Sequence, residues 1–361
     1  MSLNLGKNRR VKIVDRTLPE MFSNRSSVRR LEIIYFCWLL KDMGVDFFEV
    51  DSNILDLIGK LPSGLDFSYR IKNEKDVDRC IKNKINEVVV PLDFLKRYNL
   101  LNNLKSRNVN IVLEYQIERL KEFDALKYLK DFDSFGFIKE IRITGLNTVS
   151  SFLWVDKVLE IEQLLNVSIN VCPKNRYAGA TALCLEAIMN NISSITVSFL
   201  GYGKEWGFAA LEEVLMAVKI LVKPDMKMDF SNLPEMTRFF SRITGNDIPE
   251  SKAVAGKGIF KYQSGIHADG IEKNPLTYEP FDPSIVGQIR KLTIGKHSGR
   301  RAVQKKLKEL GIKCKIEEAA NILEHIREKS SECKRDLFDY EVIDIYKSRY
   351  LSDLQIEATV M

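Results

Sequence analysis

Short apolar, β-branched runs return at regular intervals along the first part of the chain, and helical patterns fill the spaces between them. The runs are VKIVDRT (11–17), DFFEVDS (46–52), FSYRI (67–71), EVVVPL (87–92), NIVLEYQ (110–116), KEIRIT (139–144), SINV (168–171) and SITVSFLG (194–201). A helix over 209–221 and then MKMDFS (226–231) complete the series. Such runs are expected of strands buried on both faces, and their alternation with helices implies a parallel sheet. Read as eight strands each followed by a helix, over roughly 230 residues, the series predicts a (β/α)8 TIM barrel. A doubly wound open sheet is the competing architecture, but no GxGxxG follows any of the runs.

The helices carry their own signals. The first should be capped by Ser26 or Ser27, bury a face made of Val28, Leu31, Ile34, Tyr35, Trp38 and Leu39, and end at Gly44. Others are expected over NILDLIGKL (53–61), from Glu74, from Phe94, to about Phe132, from Ser151 and over 181–190. In a barrel of this kind chemistry sits at the C-terminal ends of the strands. The positions to inspect are therefore Asp15 to Glu20, Asp51, Arg70, Glu114, Arg142, Cys172 to Asn175 and Gly201 to Gly207.

Beyond about Gly245 the alternation stops. The segment Phe260 to Gly299 is the densest in loop chemistry: it holds SGIHADG (264–270), a Pro-punctuated stretch, GKHSG (295–299) and two of the three histidines. The rest is helical, from Ser298 to about Leu310 and on to Val360. We expect a barrel over 1–245, a linking subdomain over 246–300 and a small α-rich subdomain over 301–361.

Charge and cysteine content narrow the setting. The net charge of +6 on 361 residues argues only weakly for an anionic partner, and neither nucleic acid nor membrane is expected. The excess is densest between Arg290 and Lys308, where eight basic residues and no acid occur. This run is either a solvated helix face or a site for phosphates of a nucleotide-bearing cofactor. Six cysteines without CxxC spacing read as reduced thiols. The N-terminus lacks an apolar signal core, and no apolar run reaches about 18 residues, so a cytoplasmic protein is expected.

SGIHADG, the TYEPF that follows it (277–281), GKHSG and GYGKEWGFAALEEVLMAV (201–218) together resemble the homocitrate synthase and isopropylmalate synthase family of metal-dependent acyl-CoA condensing barrels. The resemblance spans nearly the whole chain. It implies a divalent metal at the barrel mouth, held by an Asp after strand 1 and an HxH pair, which polarises a 2-oxo acid carbonyl. It also implies a small subdomain that reaches across a dimer and places a His and a Tyr in the partner's active site. Those two residues are present here as His267 and Tyr278.

The barrel departs from the family at each metal position. The expected LRDG reads Leu18-Pro19-Glu20-Met21, and HxHND reads Cys172-Pro173-Lys174-Asn175-Arg176. GERxGN reads Gly203-Lys204-Glu205-Trp206-Gly207-Phe208, the Asp-Thr motif reads Arg142-Ile143-Thr144-Gly145-Leu146, and the His-Glu before SGIH reads Tyr262-Gln263. Glu20, Cys172 and Lys174 are degenerate positions at which no metal is expected.

The resemblance then implies an omega-type subunit of a two-polypeptide, nitrogen-fixation-type homocitrate synthase. It would bind no cofactor metal itself and would lend His267 and Tyr278 to an intact, metal-bearing barrel in a homo- or hetero-oligomer. The substrates would be acetyl-CoA and a 2-oxo acid, 2-oxoglutarate. Lys296, His297 and Arg300 are the cofactor-binding candidates, facing CoA phosphates; the competing role for His297 is to help cap the helix after GKHSG. Two other readings stay open: an active condensing enzyme of isopropylmalate or citrate type with a rebuilt site, and a non-catalytic regulator or scaffold.

Overall fold

In the computed structural model, residues 3–4, 10–22, 28–97, 104, 109–116, 138–146, 154–223 and 225–357 are described. The strands are β1 (Leu3–Asn4), β2 (Arg10–Asp15), β3 (Phe47–Val50), β4 (Asp66–Arg70), β5 (Glu87–Pro91), β6 (Asn110–Gln116), β7 (Ile138–Thr144), β8 (Ser168–Cys172) and β9 (Ser194–Val197). From β2 to β9 each pairs in parallel with the next, and β9 returns to β2 with Lys12 opposite Ser194 and Asp15 opposite Val197. The sheet is thus a closed eight-stranded parallel barrel, with β1 added antiparallel to β2.

Closure explains one departure from expectation. MKMDFS (226–231) is not a strand, because a closed barrel leaves no edge for it to join. It runs instead beside the helix Arg30–Met43, with Asp229 N–H bonded to the Asp42 carbonyl at 3.0 Å. SITVSFLG also stops early as a strand: Val197 ends β9, and Phe199–Gly201 forms a 3₁₀ turn.

That first long helix ends at Gly44 with φ +124°, as its sequence implies. Its buried residues are Ile33, Phe36, Cys37, Leu39, Leu40 and Met43, whereas Leu31, Tyr35 and Trp38 are 73%, 49% and 37% exposed. The apolar stripe read from the sequence was therefore rotated from the true core face, because aromatic and aliphatic residues lie all round this helix and periodicity alone could not choose among them. Ser26 and Ser27 lie outside the described residues, as do the start of the helix expected from Ser151 and the helix expected to end near Phe132. The helix expected from Phe94 is described as Leu92–Arg97.

The barrel interior holds charge. Lys12 on β2 reaches Glu87 on β5 at 3.1 Å and Glu140 on β7 at 3.0 Å. Nearer the C-terminal ends, Arg70 Nε on β4 donates to Glu49 Oε1 on β3 at 2.7 Å, and Arg70 Nη1 to Glu114 Oε1 on β6 at 3.0 Å. Arg142 Nη1 on β7 donates to the other oxygen of Glu49. Side chains from strands that are not neighbours can meet only inside the barrel, so these residues form its polar filling. Burial opposes ionisation of Glu49, but the guanidiniums of Arg70 and Arg142 win and hold its pKa well below the usual carboxylate range.

The chain divides into two compact units, residues 1–248 with 253–255, and residues 249–252 with 256–361. The second unit contains the helices Gly265–Lys273, Arg300–Glu309, Ile316–Cys333 and Asp339–Glu357. Lys261–Tyr262 pairs in parallel with Lys291–Leu292. One apolar cluster joins Leu292 and Ile294 to Ala302, Val303, Leu307, Ala319, Ile322, Ile326, Leu337 and Val342, so a single core runs across residue 300. The six cysteines are free, with Cys37, Cys80, Cys172 and Cys184 buried. No helix among the described residues is long and apolar enough to cross a membrane.

Replacing Glu49 with Ala leaves two buried guanidiniums without their shared carboxylate. The expected cost is about 3–5 kcal/mol in denaturant unfolding; a loss under about 1 kcal/mol would mean the network contributes little. Because the folded pKa of Glu49 is lowered, its contribution is full above the ordinary carboxylate range and is lost as pH falls through the folded value.

Candidate functional site

The barrel mouth is built on the turn that leaves β2. Asp15 accepts hydrogen bonds from Thr17 N–H at 3.1 Å and from the Thr17 hydroxyl at 2.6 Å, and Thr17 Oγ1 accepts from Phe199 N–H at 2.7 Å. Burial pushes the Asp15 carboxyl up to about 7, against those bonds. The short helix Thr17–Met21 begins at once, and Pro19 sits in its first turn, where no amide donor is needed. One turn separates Arg16 from Glu20, and Arg16 Nη2 donates to Glu20 Oε1 at 2.9 Å. The other oxygen of Glu20 accepts from Lys204 N–H at 3.0 Å.

Phe208 organises the rest. Its ring is buried, with the Arg16 guanidinium 4.2 Å and the Lys174 ammonium 4.1 Å from its centroid. The glycines of GYGKEWG follow from this ring. A Cβ at Gly203 would overlap the Phe208 ring, and Gly207, at φ +70°, passes too close to the Gly201 carbonyl for any side chain. The LEEV helix anchors the loop, since Glu212 accepts from Leu200 N–H at 2.9 Å.

Arg16 stands in the motif region picked out by sequence, but its role there was not anticipated. The signal available was a charged residue directly after an apolar strand, one helical turn before a carboxylate. Glu49 was also missed; a lone acid inside the apolar run DFFEVDS was its signal.

The donor set at the degenerate positions is a poor match to a hard divalent cation. Glu20 is bonded at both oxygens. Cys172 is buried, which pushes its thiol pKa up despite Arg16 and Arg142 nearby. Lys174 brings positive charge, and burial together with Arg16 lowers its ammonium pKa. Among the described residues no group of three or more His, Cys, Asp or Glu side chains is arranged so that it could hold a metal ion.

The second unit presents its predicted pair ready assembled. Ser264 caps the helix Gly265–Lys273 by accepting from Ile266 N–H at 3.2 Å, and His267 projects into solvent from its first turn. Asn274 caps the turn Pro275–Thr277 and so positions Tyr278. The His267 and Tyr278 rings lie 4.6 Å apart between centroids, tilted by 56°, with Tyr278 46% exposed. Gly270 permits this: a Cβ there would overlap the Tyr278 ring. The next residue, Glu279, is buried and bonded by Arg290 at 2.9 and 2.8 Å, which pins the TYEPF segment.

GKHSG is a braced loop. The buried Ser298 hydroxyl accepts from Gly295 N–H at 3.0 Å and donates to the Gln263 carbonyl at 3.2 Å. The following helix starts at Arg300 with Gly299 as its cap residue and no side-chain cap, so neither Ser298 nor His297 caps it. Lys296, His297 and Arg300 are exposed on this loop. Elsewhere in the basic run Arg290 is paired with Glu279, Lys305 with Glu272 and Lys306 with Asp339, while Lys291, Arg301 and Lys308 are exposed. His325 is exposed on the helix Ile316–Cys333.

The barrel shares its fold with HMG-CoA lyase. That enzyme from Pseudomonas aeruginosa superposes with a TM-score of 0.52 at 14% identity, over 68% of this chain and 96% of that one. The family model "Homocitrate synthase post-HMGL domain-like" matches residues 254–334. The homocitrate synthase omega subunit of Clostridium pasteurianum is 36% identical over 341 residues, covering 93% of this chain and 95% of that one. 2-Isopropylmalate synthase 2 of Caldanaerobacter subterraneus is 39% identical over 196 residues, about half of each chain. The chain therefore belongs to the homocitrate synthase and isopropylmalate synthase family.

Gly270→Ala tests the geometry of the pair. Tyr278 is half exposed and can swing away, so stability should change by less than about 1 kcal/mol. The ring-current shift of Tyr278 on the His267 imidazole should disappear from the proton NMR spectrum, in which only three histidines contribute. An unchanged His267 signal would show that Gly270 does not set the contact.

Proposed function

We propose that this chain is the omega-type subunit of a two-polypeptide homocitrate synthase, with a barrel that holds no catalytic metal of its own. It supplies His267 and Tyr278 to the barrel of a partner subunit that carries the divalent metal. The reaction is the condensation of acetyl-CoA with 2-oxoglutarate and water to give homocitrate and CoA, as a cytoplasmic step of the nitrogen-fixation type. The observation that carries this reading is a contrast. The His267–Tyr278 pair is assembled and exposed, while the chain's own barrel mouth is taken up by Arg16, Phe208 and Lys174. The similarity to a relative named as an omega subunit agrees with it.

The residues have distinct tasks. An imidazole is suited to removing a proton from the acetyl methyl group near neutral pH. The Tyr278 hydroxyl orients the imidazole or the thioester, on a ring already in contact with it. Ile266 and Leu276, both about three-quarters exposed, flank the pair with apolar surface suited to contact with the partner. Lys296, His297 and Arg300 offer positive charge and hydrogen-bond donors to the phosphates of CoA.

The test is reconstitution with a homocitrate synthase chain whose barrel has its metal ligands, following CoA release. Wild-type chain should support turnover, and His267→Ala should lower kcat by at least about 100-fold without loss of the complex on gel filtration. Tyr278→Phe should cost less. Full turnover with His267→Ala would refute the catalytic role and leave a scaffold.

A further inference from the structure

Opposite the mouth, the N-terminal ends of the strands carry a second concavity. The first residues of β3, β4, β5 and β6 (Phe47, Asp66, Glu87 and Asn110) line a cavity of about 380 Å³. A larger one, of about 710 Å³, adjoins it beside the helices Ser52–Ile58 and Lys75–Lys82. The two share Leu61, Asn83 and Lys84 in their walls, so they form one cleft with two chemically different halves. None of the residues of the mouth takes part in it, and conservation of this end of such barrels is ordinarily a matter of stability rather than chemistry.

The larger half is basic. Lys60, Arg79, Lys82 and Lys84 line it, all exposed, and its one acid, Asp56, lies 3.4 Å from Arg79. No lining acid is left for the three lysines. Cations complement a helix dipole within its last turn, which accounts for Arg79 and Lys82 on the helix Lys75–Lys82. It does not account for Lys60 and Lys84, each two residues beyond the end of its helix. Lys84 also stands at φ +55°, a left-handed position that glycine or asparagine ordinarily takes after a helix, so a cationic side chain is present there against the backbone preference.

The smaller half is apolar with amides at its edge. Phe47, Leu61, Pro62, Leu65, Phe67 and Ile85 supply the apolar wall, and Asn86 and Asn110 are exposed beside it. An asparagine amide carries a donor and an acceptor side by side, and it matches the N6–H and N7 edge of adenine. Of the two acids in this half, Glu87 is bonded by Lys12 at 3.1 Å, and Asp66 does not line the basic half. Clefts of a few hundred Å³ with an apolar wall and a few convergent polar groups are the usual form of a small-molecule site. Three lysines at one end select a ligand that ends in phosphates.

We propose that this cleft binds an adenosine polyphosphate group. The base lies against the apolar wall with its edge on Asn86 and Asn110, and the phosphates lie on Lys60, Lys82 and Lys84. The same chemistry comes from two sources, free ADP or ATP and the adenosine end of CoA. A ligand bound there leaves the barrel mouth free and stabilises the folded chain by mass action.

The experiment is calorimetric titration of the full chain in EDTA with ATP, alongside adenosine, tripolyphosphate and CoA. One ATP per chain should bind, at least about 10-fold more tightly than adenosine or tripolyphosphate, and should raise the melting temperature. Its affinity should fall as salt is raised, because the lysines are exposed. The double variant Lys82→Ala, Lys84→Gly removes two cations and suits the backbone at residue 84. It should bind ATP at least about 10-fold more weakly while melting without ligand as the wild type does. CoA separates the sources: ATP bound more tightly than CoA assigns the site to free nucleotide, the reverse order assigns it to the adenosine end of CoA, and either supports the site when the double variant weakens it. No saturable binding of ATP or CoA by the wild-type chain, or tripolyphosphate bound as tightly as ATP, overturns the proposal however the variant folds. Binding unaltered by the double variant overturns it as well.

Discussion

A closed barrel of eight short strands encloses a space that side chains must fill, and here the filling is ionic. Glu49 joins Arg70 and Arg142 across the barrel, Glu114 completes the set, and Lys12 ties β2 to β5 and β7 below it. Buried charges are tolerated only where each has its counter-charge. At the mouth Arg16 has its own counter-charge in Glu20, Lys174 stands beside it, and Phe208 is the surface on which both cations rest. The loop glycines, the Glu20 contact and the position of the LEEV helix all follow from seating that ring.

The same logic separates the two units. In the barrel, positive side chains stand where the family resemblance leads one to expect a cation and its ligands. In the second unit the family's loop chemistry is kept and braced: Ser264 and Asn274 cap the turns, Gly270 makes room for Tyr278, and Glu279 with Arg290 holds the segment that carries it. They keep an imidazole and a phenol together on an exposed surface.

Much of this was legible in the sequence, for identifiable reasons. Strand positions came through because buried parallel strands are apolar runs with little else to explain them, and SGIHADG with TYEPF marked the His267–Tyr278 pair. MKMDFS misled because an apolar alternating segment looks like a strand whether or not an edge is free to receive it. The face of the first long helix misled because Leu31, Tyr35 and Trp38 are apolar and yet exposed. The cation pair on Phe208 was out of reach for a different reason: Arg16, Lys174 and Phe208 are remote in sequence, and only barrel closure brings them to one ring.

Side-chain cations in place of a metal at this barrel mouth leave no site for a divalent ion to fill. Calorimetric titration of the purified full chain with manganese and magnesium tests it most directly. No saturable heat and no change in melting temperature are expected on adding either ion or EDTA. Saturable binding of one ion per chain, abolished by Glu20→Gln, would contradict it.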